Sequence, residues 1–111
     1  MASAIILGTT NDITTCECCG KTNLKKTVVL DVDGAVLHYG IDCAGRAILG
    51  AKSAKNSAII DKRARAVDAA RKDVANGLKD RETSRSAWNL FGAAIELRGT
   101  MLRTPWGEVA A

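Results

Sequence analysis

Three of the four cysteines have the spacing of metal ligands. Cys16 and Cys19 form a C-x2-C knuckle, and Cys43 follows further along the chain. Zinc sites commonly combine such a knuckle with ligands that the fold brings in from elsewhere. Gly20 allows the chain to turn back after the knuckle, so that backbone amides point at the thiolates and stabilise their charge. The pattern therefore predicts one structural zinc ion (Zn2+) per chain.

The fourth zinc ligand is open to two interpretations. His38, the only histidine, lies five residues before Cys43, and the preferred ligand set is Cys16, Cys19, His38 and Cys43. Cys18 is the substitute for His38, although two adjacent cysteines cannot easily both face one ion. A lone histidine is more often an ordinary surface or core residue, and a lone cysteine is more often a small buried apolar one.

Other uses of the cysteines are a disulfide, free thiols or an iron–sulfur cluster. Adjacent cysteines fit the spacing of a cluster poorly. No apolar run reaches the roughly 18 residues of a membrane span, and the start of the chain has no basic leader. We therefore expect a cytoplasmic protein without a membrane partner, in which thiols stay reduced and metal binding is favoured over a disulfide.

Short strands would position the cysteines. Residues 4–7 and 27–32 are apolar, and the second run is rich in β-branched side chains, so both are predicted to be strands. Asp33-Gly34 is a strong signal for a two-residue hairpin turn, and residues 35–39 form the returning strand. The hairpin would bring the chain back to the knuckle.

A helix follows the hairpin. Asp42 is expected to cap it, Cys43 to lie at its N-terminus, where the helix dipole favours a thiolate, and Gly50 to end it. The order of knuckle, hairpin and helix resembles the treble-clef type of zinc module. One departure is Arg46, which stands where a treble clef usually carries its second helix cysteine.

The resemblance extends to one class of protein. Cys16-x-x-Cys19-Gly20-Lys21 followed by His38-Tyr-Gly-x-x-Cys43-Ala44 resembles small zinc-binding proteins encoded by bacteriophages and mobile elements. It covers residues 14–50, under half of the chain. It implies a binding protein of phage type with a structural zinc ion.

The remainder of the chain has helical periodicity. An apolar stripe from Ile60 to Leu78 predicts a long helix from about residue 53 to 80. Apolar residues at helical spacing predict a second helix over residues 83–103, namely Trp88, Phe91, Ile95 and Leu102. The expected fold class is α+β, with a zinc-knuckle β-hairpin module (residues 1–50) followed by a long antiparallel helical hairpin (residues 51–111).

The charge is uneven along the chain. Of 16 Lys and Arg and 12 Asp and Glu, residues 1–43 hold three and five, so the net charge of +4 comes from the later part. A basic region suggests a polyanion such as nucleic acid. The expected phosphate contacts are Lys52, Lys55, Lys62, Arg63, Arg65, Arg71 and Lys72. Aromatic residues do not interleave with these in sequence, so base stacking is not predicted.

The alternative function is protein interaction. The helical hairpin could be the interface of an inhibitor or adaptor of a host protein complex, or of a homodimer. An enzyme is not expected, because the chain has one histidine, no H-x-E and P-C-x-x-C deaminase signature and no phosphate-binding glycine loop. Salt dependence separates the two binding hypotheses, because phosphate contacts weaken steeply as salt rises.

Overall fold

The three strands predicted in the N-terminal part of the chain are present, and the first is longer than the predicted residues 4–7. The computed structural model describes residues 4–111, so the first three residues of the predicted module lie outside it. Strands β1 (Ala4–Thr10), β2 (Thr27–Val32) and β3 (Ala35–Tyr39) form an antiparallel sheet in the order β1-β2-β3. Asp33 and Gly34 connect β2 to β3 with φ values of 51° and 90°. These left-handed angles match the right-handed twist of a two-residue hairpin, and the predicted hairpin is confirmed.

Strand β1 contains an irregularity that Gly8 makes possible. The pairing register with β2 shifts between Ile6 and Gly8, as in a β-bulge. Gly8 has φ 131°, and a Cβ atom on it would overlap the Asp68 carboxylate and lie 2.8 Å from Nη1 of Arg71. Glycine therefore allows both a backbone angle and a close approach that a larger residue would prevent.

Helix α1 (Ile41–Leu49) carries Cys43 in its first turn. Its N-cap residue is Gly40, so the predicted Asp42 cap is wrong. Asp42 lies one residue inside the helix, and its Oδ1 accepts a hydrogen bond from Ser57 Oγ at 2.5 Å. Gly50 ends the helix as predicted, with φ 87°, the left-handed conformation common at helix C-termini.

Helix α2 (Ala54–Ala75) is shorter than predicted and lies between two cores. Ser53 caps it by accepting a hydrogen bond from the amide of Asn56 at 3.0 Å. Its N-terminal half packs against the first sheet in the N-terminal core, which comprises Ile6, Val28, Leu30, Ala44, Ile60 and Ala64. Its later residues belong to the C-terminal core, which comprises Ala66, Val67, Ala70, Ala87, Ala93, Ile95, Leu97, Leu102 and Val109.

The predicted long antiparallel helical hairpin is wrong. Helix α3 spans only Arg85–Phe91 and is followed by three strands, β4 (Glu96–Arg98), β5 (Met101–Thr104) and β6 (Gly107–Ala110). These strands form a second antiparallel sheet in the order β4-β5-β6. Within residues 4–111 the chain is thus an α+β protein with two three-stranded antiparallel sheets and three helices.

Two glycines interrupt the predicted second helix. Gly92 ends α3 with φ 63°, and Gly99 has φ 62° in the turn between β4 and β5. Beyond Gly92 the buried side chains alternate with more exposed ones, as Ile95 and Leu97 flank the half-buried Glu96. That period of two is the period of a strand. The predicted helix stop at Thr104 is instead the start of the β5–β6 turn.

Candidate metal centre

The knuckle is a tight loop held by its own backbone. The amide of Gly20 donates to the carbonyl of Cys16 at 2.9 Å, and the amide of Cys16 donates to the carbonyl of Lys21 at 2.9 Å. Gly20 has φ 79°, a conformation that glycine adopts without strain. The loop therefore folds back on itself and brings Cys16 and Cys19 to the same side.

Strand β3 fixes the knuckle in place. The amide of Glu17 donates to the His38 carbonyl at 2.8 Å, and the His38 amide donates to Glu17 Oε1 at 3.1 Å. The same carboxylate oxygen lies 2.7 Å from His38 Nδ1. These contacts hold the loop next to the end of β3, from which the chain runs directly into the helix that carries Cys43.

Three sulfur atoms meet at this junction. The Sγ atoms of Cys16, Cys19 and Cys43 all lie within 4.8 Å of one another. In a tetrahedral zinc site with Zn–S bonds of about 2.3 Å, neighbouring sulfurs are about 3.8 Å apart, so small side-chain movements would suffice to bind an ion. Cys16 and Cys43 are buried and Cys19 is exposed. The three cysteines could hold a metal ion.

A cavity of about 170 Å³ adjoins the sulfurs. Besides the three cysteines it is lined by Lys21, Leu24, Gly40, Ile41, Asp42 and Lys52. Gly40 contributes its amide, which hydrogen-bonds the Cys16 thiol. The backbone at the start of α1 can therefore approach this sulfur closely.

The pKa values of the buried thiols diverge. Burial opposes ionisation of Cys16, but hydrogen bonds from the amides of Gly40, Cys19 and Cys18 outweigh it and lower the pKa of the thiol to about 7. Burial raises the pKa of Cys43 to about 12, and hydrogen bonds with the neighbouring thiols act in the same direction. That the start of the helix favours a thiolate at Cys43 stays a prediction.

The two predicted alternatives for a fourth ligand lie in different surroundings. His38 is outside the group of three sulfurs, and its Nδ1 faces Glu17. Cys18 is likewise outside this group. Its Sγ accepts a hydrogen bond from Arg46 Nη2 at 3.4 Å. Arg46, which departs from the treble-clef pattern, thus reaches the cysteine loop from α1.

The predicted phosphate-binding residues have several different environments. Lys52 lines the cysteine cavity, and Lys55 and Lys72 are exposed. Arg71 donates from Nη1 to the carbonyl of Leu7 and from Nε to the carbonyl of Ala110 at 3.1 Å. Arg71 therefore joins β1 and β6 to α2, and its guanidinium is largely occupied within the fold.

Of the other three basic residues, Arg63 and Arg65 lie over aromatic rings and Lys62 lines a groove beside Trp106. The Arg63 guanidinium carbon is 5.3 Å from the centre of the Trp106 ring, and that of Arg65 is 5.5 Å from the centre of the Phe91 ring. Lys62 lines the same groove as Arg63. No local pattern indicates these pairs, because the partners are far apart along the chain.

No protein-family model, curated protein or solved structure matches this chain. Among the helices of the described residues, none combines the length and apolar character needed to cross a membrane.

Proposed function

We propose that this chain is a small zinc-binding protein of phage type, in which a structural zinc ion stabilises a surface that contacts nucleic acid. The observation that supports metal binding is that three sulfurs from two separate chain segments lie within 4.8 Å of one another. Thiolate is a soft donor, and tetrahedral sulfur-rich sites are typical of zinc. Zinc is therefore the ion that this donor set favours.

Cys18 is the proposed fourth ligand. It lies in the same loop as Cys16 and Cys19, and its Sγ accepts a hydrogen bond from Arg46 of the helix that carries Cys43. Four thiolates would close the coordination sphere, as in structural sites, and leave no position for a reacting water. This supports a structural role and no catalytic one.

The first test is the metal content of the purified protein, with its mass recorded under native conditions. We expect one zinc ion per chain. Cys43→Ser should lose the ion and lower the melting temperature by roughly 10 °C or more, because metal binding contributes to folding. Ala47→Ser is the matched control, since it adds a hydroxyl at an exposed position of α1 and removes no thiol. A Cys43→Ser protein that kept its zinc and its melting temperature would overturn the proposal.

Nucleic acid is the proposed partner because the later part of the chain is basic and presents several cations on its surface. Lys55, Lys62 and Lys72 are exposed along α2. Such cations bind phosphates without regard to sequence, and the affinity falls steeply with salt. An affinity that did not change with salt would contradict this proposal.

One observation favours a protein partner as a second candidate. Trp88 and Leu90 of α3 are 58% and 70% exposed, and exposed aromatic side chains often anchor interfaces. A complex through this apolar surface, including a homodimer, would persist at high salt. The native mass measured for metal content also reports a homodimer.

A further inference from the structure

A groove lies between α2, the end of α3 and the β5–β6 turn. Its volume is about 410 Å³, within the range of about 300–1,000 Å³ that is common for sites of small organic groups. Helix α2 supplies Lys62 and Arg63, and the β5–β6 turn supplies Trp106. The complete lining is Ile59, Lys62, Arg63, Phe91, Gly92, Ala93, Pro105 and Trp106.

The groove combines aromatic faces with planar cations. Arg63 lies over the Trp106 ring at 5.3 Å, and just outside the lining Arg65 lies over Phe91 at 5.5 Å. Both rings are half-buried, so each is held in position and also presents surface to solvent. Single-stranded nucleic acids are bound by this combination, because bases stack on aromatic rings and on guanidinium planes.

The charge of the groove has one sign. Of the described residues that line it, two are basic and none is acidic. The exposed Lys62 lies at its edge, where a phosphate next to a stacked base could reach it. A second open groove, beside the second sheet, has the same volume of about 410 Å³ but contains Glu96 as well as Arg98 and Arg103, and its mixed charge gives no such preference.

We propose that this groove binds single-stranded nucleic acid, with a base stacked against Trp106 and Arg63 and an adjoining phosphate held by Lys62. The inference rests on the proposed nucleic-acid-binding function and adds the form of nucleic acid and the place of contact. A duplex is disfavoured because its bases are already stacked on one another. An apolar peptide is disfavoured by the cations of the lining.

The test uses the fluorescence of Trp106 as a local reporter. The chain has two tryptophans, so Trp88→Phe leaves Trp106 as the sole one. An oligodeoxythymidylate of roughly ten nucleotides should quench this fluorescence, because a base stacks on the ring. Inorganic polyphosphate, a polyanion without bases, should leave it largely unchanged. Equal effects of the two polyanions, or no effect of the oligonucleotide where binding is otherwise detected, would overturn the inference.

A second test measures affinity in matched variants. Trp106→Leu should weaken oligodeoxythymidylate binding by roughly 5- to 150-fold, the effect of losing one base stack. Trp88→Leu removes an exposed tryptophan outside the groove and should bind as the unsubstituted protein does. Lys62→Gln should reduce the slope of log affinity against log salt by about one phosphate contact. Thermal melts check that each variant is folded. If Trp106→Leu does not fold, the fluorescence test still decides, because it keeps Trp106 in place.

The outcomes separate this inference from the proposed function. Two results would overturn the inference about the groove and leave nucleic-acid binding in place. One is salt-dependent binding of equal affinity in Trp106→Leu and Trp88→Leu, and the other is tighter binding of duplex than of single strand. If neither a single strand nor a duplex bound at low salt, nucleic-acid binding and the groove inference would both fall.

Discussion

Around the cysteine loop, some side chains are candidate metal ligands and others hold the loop in position. Cys16, Cys19 and Cys43 supply converging sulfurs, while Glu17 and His38 hold the loop to β3 through three hydrogen-bonding contacts. On the proposal that Cys18 is the fourth ligand, His38 positions the loop and does not bind the ion. Loss of the His38 side chain should then loosen the attachment of the loop to β3 without removing a metal bond.

The identity of the fourth ligand gives a prediction at this scale. We expect Cys18→Ser to reduce the intensity of the thiolate-to-metal charge-transfer bands of the cobalt-substituted protein, because one of four sulfur donors is lost. His38→Asn should leave these bands unchanged, since the side chain contributes no donor. Absorption titrations with Co2+ of both variants and the unsubstituted protein would check this. Reduced bands in neither variant, or a change of the cobalt spectrum in His38→Asn alone, would contradict the assignment of Cys18.

Among the elements, the junction of α2 and α3 depends on one carboxylate. Asp73 Oδ2 accepts from Ser84 Oγ at 2.7 Å and from the amide of Ser86 at 3.0 Å, and its Oδ1 accepts from Ser86 Oγ at 2.7 Å. Ser84 is at the same time the N-cap of α3. Asp73 therefore fixes the start of α3 relative to the end of α2.

Asp73 gives a prediction with a pH dependence. Burial raises the pKa of Asp73, but the hydrogen bonds from Ser84 and Ser86 outweigh it, so the folded-state pKa is below the ordinary value of 3.8. The carboxylate thus stabilises the fold above the unfolded-state pKa, and this contribution is lost as the pH falls through the folded-state pKa. Asp73→Ala should lower the free energy of unfolding at pH 7 by about 1.5–3 kcal/mol, and the difference should shrink below about pH 4.

Urea unfolding at several pH values would measure the effect of Asp73. The control is Glu108→Ala, which removes a carboxylate that pairs with Arg103 at 3.6 Å while both side chains are 56% exposed. An exposed ion pair contributes about 0–1 kcal/mol. Equal losses in the two variants, or a difference for Asp73→Ala that is independent of pH, would contradict the prediction.

The elements that could be predicted from sequence are those with local signals. The Asp33-Gly34 turn and its flanking β-branched residues determine the first hairpin, and the C-x2-C knuckle indicates the metal site. The helix predicted over residues 83–103 is wrong beyond Phe91, because its apolar residues at helical spacing hide the breaks at Gly92 and Gly99. Giving those glycines more weight could have revealed the breaks. The groove at Trp106 arises only from tertiary packing, so no pattern along the chain could reveal it.

At the scale of the whole molecule, β1 and α2 connect the two cores. Ile6 belongs to the N-terminal core, whereas Ile5 and Leu7 pack against the C-terminal core from the other face of the strand. Asp68 strengthens this connection, since it accepts from the amide and hydroxyl of Thr9 at 3.1 and 2.6 Å. The predicted division of the chain at residue 50 stays a prediction. It can be tested by how far the loss of stability extends along the chain when the metal is removed.

Metal removal should loosen one end of the molecule first. The amides of Cys16, Glu17 and Gly20 are hydrogen-bonded within the cysteine loop and to β3. Residues 17–23 are exposed, so little buried surface would hold the loop once the ion is gone. We expect a chelator to speed hydrogen exchange by at least about tenfold, or ~1.4 kcal/mol, over residues 14–26 and in α1. Strands β4–β6 have a separate core around Ile95 and Leu102, so their amides should exchange as before. Mass-spectrometric exchange with and without chelator tests both parts, with Cys43→Ser expected to resemble the chelated protein.

Faster exchange throughout residues 4–111 would instead mean that the two cores unfold as one unit, because β1 and α2 transmit the loss. No change anywhere would mean that the ion does not stabilise the fold.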